Sequence, residues 1–288
     1  MNKEMPTYSE ALRAAAIELS AKDIEGPLRD ARRLMEVAAG ISATDLIAEE
    51  NNALSAAILK RFDEFIARRC KGEPVSRIAG RREFWGLEFQ VTRDVLDPRA
   101  DTETLVELVL DTWCPDAVDV LDMGTGSGCV LLSILHERCN ARGVGLDQSE
   151  SALNIAALNA ENLGLHSRSQ FLKSNWFDAL EDGAAFDVIV SNPPYIPSAD
   201  IEHLDRDVRN YDPMAALDGG ADGLDDYRAI IGAARSYLRP NGLIAFEVGF
   251  DQAEKVMDLL TKANFIDVKV RLDLSGVKRC VYARVSNV

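Results

Sequence analysis

What the chain has little of narrows it first. Only three histidines occur in 288 residues, His136, His166 and His203, and their spacing matches no metal-ligand pattern, so no metal site is expected. Cysteine is sparse too. Cys70, Cys114, Cys129, Cys139 and Cys280 are scattered, odd in number and never in a C-x-x-C pair. That pattern suggests neither a disulfide framework nor a zinc site and suits a reducing compartment. Long apolar runs are missing: stretches such as Cys129 to Leu135 fall far short of the roughly 20 residues a spanning helix needs. The N-terminus has no signal-like apolar core. The expectation is a cytoplasmic protein with no membrane partner. Positive charge is also short, with 32 Lys and Arg against 47 Asp and Glu and a formal net charge of −15. Such a balance works against attraction to a phosphate backbone, so DNA is not an expected partner.

What is there is ample core material. The chain is 47% hydrophobic and 27% charged, enough for one large or two smaller domains. From Thr7 to about Cys70 the pattern is helical. "TYSE" (Thr7 to Glu10) has the form of a capping box ahead of Leu12, Ala15, Ala16 and Leu19. Pro27 suits a first turn, Gly40 a stop, and "LSAAILKRFDEFIARRC" supplies a last long helix before Gly72 and Pro74 break it. Between Val75 and Asp97, "REFWGLEFQVT" sets aromatic and β-branched residues around Gly86 and reads as a hairpin linker. The division expected is therefore 1–74 helical, 75–97 linker and 98–288 a larger domain.

In that larger domain the period alternates between strand and helix. "VDVLDMG", "ARGVGLD", "SQFLKS" and "FDVIVSNPPY" read as apolar strands, with "CVLLSILHERC" and "SALNIAALNAENLG" as helices between them. A helix around Tyr227 to Leu238, a strand "LIAFEVG", a helix from Asp251 to Ala263 and strands near Val268 and Val281 follow. Continuous apolar strands alternating with helices indicate a parallel sheet covered on both faces, an α/β fold.

"VLDMGTGSG" (Val120 to Gly128) ends a strand, turns through three glycines and opens a helix. Glycines let the backbone approach a ligand where a side chain would collide, and the helix start offers free N–H groups. Nineteen residues after Gly128, Asp147 closes the next strand, where a carboxylate can accept both hydroxyls of a ribose. The G-x-G-x-G spacing, Asp122 before it and the lone acid ending the second strand resemble class I S-adenosylmethionine-dependent methyltransferases more than nicotinamide dehydrogenases. "SNWF" (Ser174 to Phe177) lies where that class contacts adenine.

"SNPPY" then ends an apolar strand at the same sheet edge. Pro193 and Pro194 each fix φ and remove an N–H, leaving a stiff rim of acceptors: the Asn192 side-chain oxygen and the Pro193 carbonyl. An amino group conjugated to a carbonyl or ring is planar and a poor nucleophile. Two acceptors gripping its N–H bonds can aim its lone pair at an electrophilic methyl, while Tyr195 stacks on the planar group.

NPPY resembles two families, the amino-DNA methyltransferases and the protein glutamine methyltransferases. The wider pattern resembles the second. "EPVSRIAGRREFWGLEFQVTRDVLDPRADTETLVE", "DMGTGSG", "SNWF", "SNPPYIP", "DVRNYDPMAALDGGADGLDDYR" and "LIAFEVG" together look like the release factor glutamine N5-methyltransferase family (HemK/PrmC), across nearly the whole chain. That resemblance implies a class I, Rossmann-like, mostly parallel seven-stranded sheet behind a small helical domain that docks the protein substrate. It also implies S-adenosyl-L-methionine as cofactor and the Gly-Gly-Gln loop of class 1 peptide chain release factors as substrate, handled by a monomer. Carried over, Gly124, Thr125, Gly126, Ser127 and Gly128 line the cofactor, Asp147 takes the ribose, and Trp176 lies near the adenine. Arg99, Thr102 and Glu103 help form that pocket; Asn192, Pro193, Pro194 and Tyr195 hold the glutamine. A surface ion pair of Arg99 with Glu103 is the plainer reading of those two. Three positions depart from the family pattern: Ala100 where a second proline is common, Asn175 where an aspartate is usual, and Val277-Lys278 before Arg279. An adenine-N6 DNA methyltransferase is the alternative enzyme, and a cofactor-retaining binding protein the alternative outside enzymes.

Overall fold

A computed structural model describes residues 5–113, 115 and 117–286. The chain forms two compact units. One runs to Gly80 and includes Asp205–Tyr211; the other takes Arg81–Leu204 and the chain from Asp212 onward.

The first unit begins with α1 (Tyr8–Ser20), whose capping box forms as the sequence suggests. The Glu10 N–H donates to Thr7 Oγ1 at 3.2 Å, and the Thr7 N–H donates to Glu10 Oε2 at 2.9 Å. Such a cap contributes about 1 kcal/mol. α2 (Pro27–Ala39) starts on its proline and ends at Gly40, whose φ of 69° a side chain would resist. α3 (Ala43–Ala48), α4 (Ala56–Arg69) and α5 (Val75–Ala79) follow. Leu12, Leu19, Leu34, Met35, Phe62 and Ile66 close the core between them. Asp30 is buried on that face and is held by Arg69 Nε at 2.9 Å, which offsets its desolvation.

The second unit opens with a hairpin, β1 (Arg81–Phe84) and β2 (Leu87–Gln90), turned through Trp85 and Gly86 at φ 53° and 69°. The hairpin belongs to this unit, and the helix α5 inside the expected linker belongs to the first. Then come α6 (Glu103–Thr112), β3 (Asp119–Met123), α7 (Cys129–Glu137), β4 (Arg142–Asp147), α8 (Glu150–Asn162), β5 (Ser169–Lys173) and β6 (Phe186–Ser191). After α9 (Arg206–Tyr211), which is part of the first unit, the chain forms α10 (Asp225–Ala234), β7 (Leu238–Glu247), α11 (Ala253–Lys262), β8 (Ile266–Leu272) and β9 (Lys278–Arg284).

The seven-stranded sheet runs β5-β4-β3-β6-β7-β9-β8, parallel except that β9 is antiparallel to both neighbours. Its strands are apolar on both faces because both are covered. Val120, Val188, Val190 and Leu243 face one core with α6 and α7; Leu121, Ile189, Ile244 and Phe246 face the other with α10 and α11. From β3 the chain first steps outward through β4 and β5, then returns to β6 on the other flank. That reversal leaves a crevice beyond the carboxyl ends of β3, β4 and β6. No helix among the described residues is long and apolar enough to cross a membrane.

Candidate active site

Register decides which residues meet at that crevice. Met123 pairs with Leu146 on one side and Ser191 on the other, and Ser191 pairs with Phe246. The residue after each of these is Gly124, Asp147, Asn192 and Glu247, so four strand ends deliver them to one edge. Ser191 locks the level by donating its hydroxyl to the Met123 carbonyl at 2.6 Å.

The turn after β3 needs its glycines for different reasons. Gly124 and Gly126 sit at φ 72° and 55° with no atom closer than 3.9 Å to where a Cβ would stand, so they keep the turn open toward the crevice. Gly128, at φ 79°, meets Leu132 and Ala156 at 3.1 and 3.2 Å, so it lets α7 close on α8 and does not face the crevice. Thr125 Oγ1 donates to buried Asp122 Oδ2 at 2.7 Å. Burial pushes the Asp122 carboxyl up to about 7, with the nearby Asp147 charge adding to it. Asp147 is also pushed up by burial, but less freely, because it accepts from the Gly126 N–H and the Ser149 N–H at 2.9 Å each. Each of its oxygens keeps lone-pair capacity for a further donor.

One cavity of about 410 Å³ gathers Arg99, Thr102, Gly124, Thr125, Gly126, Ser127, Asp147, Trp176, Asn192 and Pro194 of the residues singled out by sequence. Four others lie off its lining. Gly128 is a packing glycine, as above. The Pro193 residue is buried, and Tyr195 is half-buried against the α10–α11 core. Burial pushes the Tyr195 phenol up to about 12, which keeps it neutral. Glu103 departs from expectation most: it starts α6 and accepts the Trp85 N–H at 2.8 Å, so it serves the hairpin turn. Arg99 correspondingly pairs with Asp212 at 3.0 Å, and no Arg99–Glu103 ion pair forms.

The Asn-Pro-Pro-Tyr segment is held from outside the motif. Ile196 bridges Asp218 in parallel, with the Ile196 N–H donating to Leu217 O and the Gly219 N–H to Ile196 O. Buried Gln252 completes the lacing: its Nε2 donates to Tyr195 O at 2.8 Å and Gly223 O at 3.1 Å, while Oε1 accepts the Gly249 N–H at 3.1 Å. Gly223 must be glycine, since a Cβ there would stand 2.3 Å from Tyr195 O. Sequence reasoning missed Gln252 and Glu247. The usable signal for Glu247 was an acid ending the apolar run "LIAFE" at the ligand edge; Gln252 offered none.

A family model described as PrmC N-terminal domain matches residues 10–80, and one described as methyltransferase domain matches 115–281. A protein of Bradyrhizobium diazoefficiens named release factor glutamine methyltransferase is 44% identical, with 95% of this chain and 93% of that protein covered. This chain belongs to the release factor glutamine methyltransferase family. A Caulobacter vibrioides relative of the same name is 41% identical over 96% of this chain and 95% of its own length. Among solved structures, a methyltransferase from Pyrococcus furiosus shares the fold, with TM-score 0.52, 17% identity, and 76% of this chain and 97% of that one covered.

As a member of the release factor glutamine methyltransferase family, the chain handles its three departures locally. Ala100 opens a single 3₁₀ turn, Ala100–Thr102, whose place is held by Arg279 on Asp101 at 2.8 Å. The Asn175 oxygen accepts from Gln148 Nε2 at 2.9 Å and lies off the cavity lining. Lys278 pairs with Glu254 on the surface.

Proposed function

We propose that this protein methylates the side-chain amide nitrogen of the glutamine in the Gly-Gly-Gln motif of class 1 peptide chain release factors, using S-adenosyl-L-methionine. One observation carries the reading: the glycine turn, Asp147 and Asn192 end neighbouring strands around a single cavity. The residues fit the cofactor. Gly124 and Gly126 leave room for close approach, Asp147 retains acceptor capacity for ribose hydroxyls, and the Trp176 ring stands against the turn, 3.9 Å from where a Gly124 Cβ would be. Arg99, Thr102, Thr125 and Ser127 complete the wall.

When bound, S-adenosylmethionine supplies a sulfonium methyl whose C–S bond breaks as the new N–C bond forms. The chain's work is to aim the nitrogen. A glutamine amide delocalises its lone pair, so it attacks only if held along the line of transfer. Asn192 Oδ1 and the Pro193 carbonyl accept its two N–H bonds, Pro194 stiffens the rim, and Tyr195 supports the amide plane. As attack proceeds the nitrogen becomes cationic and these bonds strengthen, so binding is tighter in the transition state than in the ground state. The proton then leaves an already positive nitrogen to water, and no histidine or metal is required. The helical unit docks the release factor, and the reaction belongs to the cytoplasm.

The test is direct. Purified protein and S-adenosylmethionine are incubated with a class 1 release factor and, separately, with duplex DNA containing adenine. Mass spectrometry should find one added methyl on the loop glutamine; label on DNA alone would reject the proposal.

A further inference from the structure

We infer that Asn159 is a positioning residue for the cavity, holding the glycine turn and the chain that leaves the hairpin in fixed relation; its bearing on the cofactor rests on the S-adenosylmethionine reading above. Asn159 lies within α8 and is 0% exposed. Asparagine is a weak helix former, and a buried amide is costly unless its polar atoms find partners. Here both ends of the amide are used. Oδ1 accepts the Gln90 N–H at 2.7 Å, while Nδ2 donates to Gln90 O at 3.1 Å and to Ser127 O at 2.9 Å. A half-turn of the carboxamide would set its NH2 against an N–H and its oxygen against two carbonyls, so the partners fix its orientation.

What those partners lead to gives the tie its consequence. Gln90 ends β2, and the chain runs on from it to Asp94, Val95, Leu96 and Pro98, all in the cavity lining. Ser127 closes the glycine turn, one residue before the Gly128 cap of α7, and the turn supplies a second stretch of that lining. The two stretches are distant in sequence from Asn159, which reaches back 69 positions to one and 32 to the other. Asn159 itself lies off the lining, so it acts through them.

Packing alone would not set their spacing. Ala152, Ala156 and Asn159 recur at helical spacing on the buried face of α8. Val91 and Val95 cluster with Ala152, and Gly128 comes so close to Ala156 that a Cβ there would stand 3.2 Å from the alanine Cβ. Those contacts press both stretches onto α8, but apolar burial is non-directional and leaves them free to slide. Hydrogen bonds are directional. Three of them on one rigid amide fix the level of the β2 end and of the turn against the same helix. A ligand filling the cavity touches both stretches, so a shift of one against the other spoils its fit.

Hydrogen–deuterium exchange on the full chain tests the tie without any turnover. Asn159→Leu keeps the bulk and removes all three bonds. Exchange should quicken about tenfold or more at the Gln90, Gly124, Thr125 and Gly126 amides, which are hydrogen-bonded in the parent, and stay unchanged in β6. Should that variant not fold, Asn159→Asp carries the test: it keeps the acceptor for Gln90 N–H and loses both donors, so the turn should loosen more than Gln90. Calorimetric titration supplies a second arm. The S-adenosylmethionine dissociation constant should rise about tenfold in either variant, with kcat at saturating cofactor within about threefold of the parent. Gly143→Ala, which crowds Leu131 away from the cavity lining, is the control for stability alone and should leave that constant within about threefold. Unchanged exchange at the turn, a rise spread evenly through β6, or an equal loss of affinity in Gly143→Ala would overturn the inference. If the parent protein binds no S-adenosylmethionine, the functional reading fails, while the exchange pattern still decides the tie.

Discussion

Asp122 and Glu247 are carboxyls buried at the ends of nearby strands, and burial pushes each up to about 7. The sign of the stability effect follows from proton counts. Between the ordinary carboxylate range and about pH 7 the folded chain retains protons that the unfolded chain has lost. Stability therefore falls as pH rises through that window. Urea unfolding should give a lower free energy at pH 8 than at pH 5.5. Asp122→Asn keeps an acceptor for Thr125 yet cannot ionise, so its profile should be shallower; a slope as steep as that of the parent would contradict the assignment. At the crevice, Asn192 and Asp147 separate binding from turnover. Asn192→Ala should lower kcat by about 100-fold or more with under about tenfold loss of S-adenosylmethionine affinity. Asp147→Ala should weaken cofactor affinity first. Calorimetric titration beside steady-state kinetics distinguishes the two patterns.

Between elements, close approach and lacing matter more than surface ion pairs, most of which contribute little. α7 crosses β4 where Gly143 has no side chain: a Cβ there would stand 2.3 Å from Leu131 Cδ1 and 3.2 Å from Val120 O. Gly143→Ala should cost about 1–3 kcal/mol, read as a lower urea midpoint at unchanged slope. Gln252 ties the loop after β6 to the loops before α10 and α11. Gln252→Leu keeps the bulk but leaves two carbonyls and an N–H unpaired, at about 1–3 kcal/mol for each group that water cannot reach. Because Gln252 holds the Tyr195 carbonyl and lies off the cavity lining, kcat/KM for the release factor should fall more than cofactor affinity. Equal losses in both would place Gln252 in general stability alone.

Over the whole molecule, the net charge of −15 opposes nucleic acid, most strongly at low ionic strength where salt screens it least. Fluorescence anisotropy with a labelled duplex at low salt should show no binding in the micromolar range; saturable binding there would reopen the DNA alternative. Much of this molecule was legible in the sequence because the signals are local. Apolar runs broken by helices announced an α/β sheet, three glycines announced an open turn, and Thr7, Pro27 and Gly40 announced helix ends, each through its own backbone preference. The spacing from Gly124 to Asp147 and the strand before Asn192 also sufficed to set those residues at one sheet edge. Other features depend on partners distant in the chain, and no local preference encodes them. The antiparallel insertion of β9 between β7 and β8, the turn of Glu103 toward Trp85 and the pairing of Arg99 with Asp212 are of this kind. So are the grouping of α9 with the first unit and Gln252 behind Tyr195. Residue type and short spacing determined which chemical groups reach the crevice; strand register and packing, which join residues up to a hundred positions or more apart, decided what holds them there.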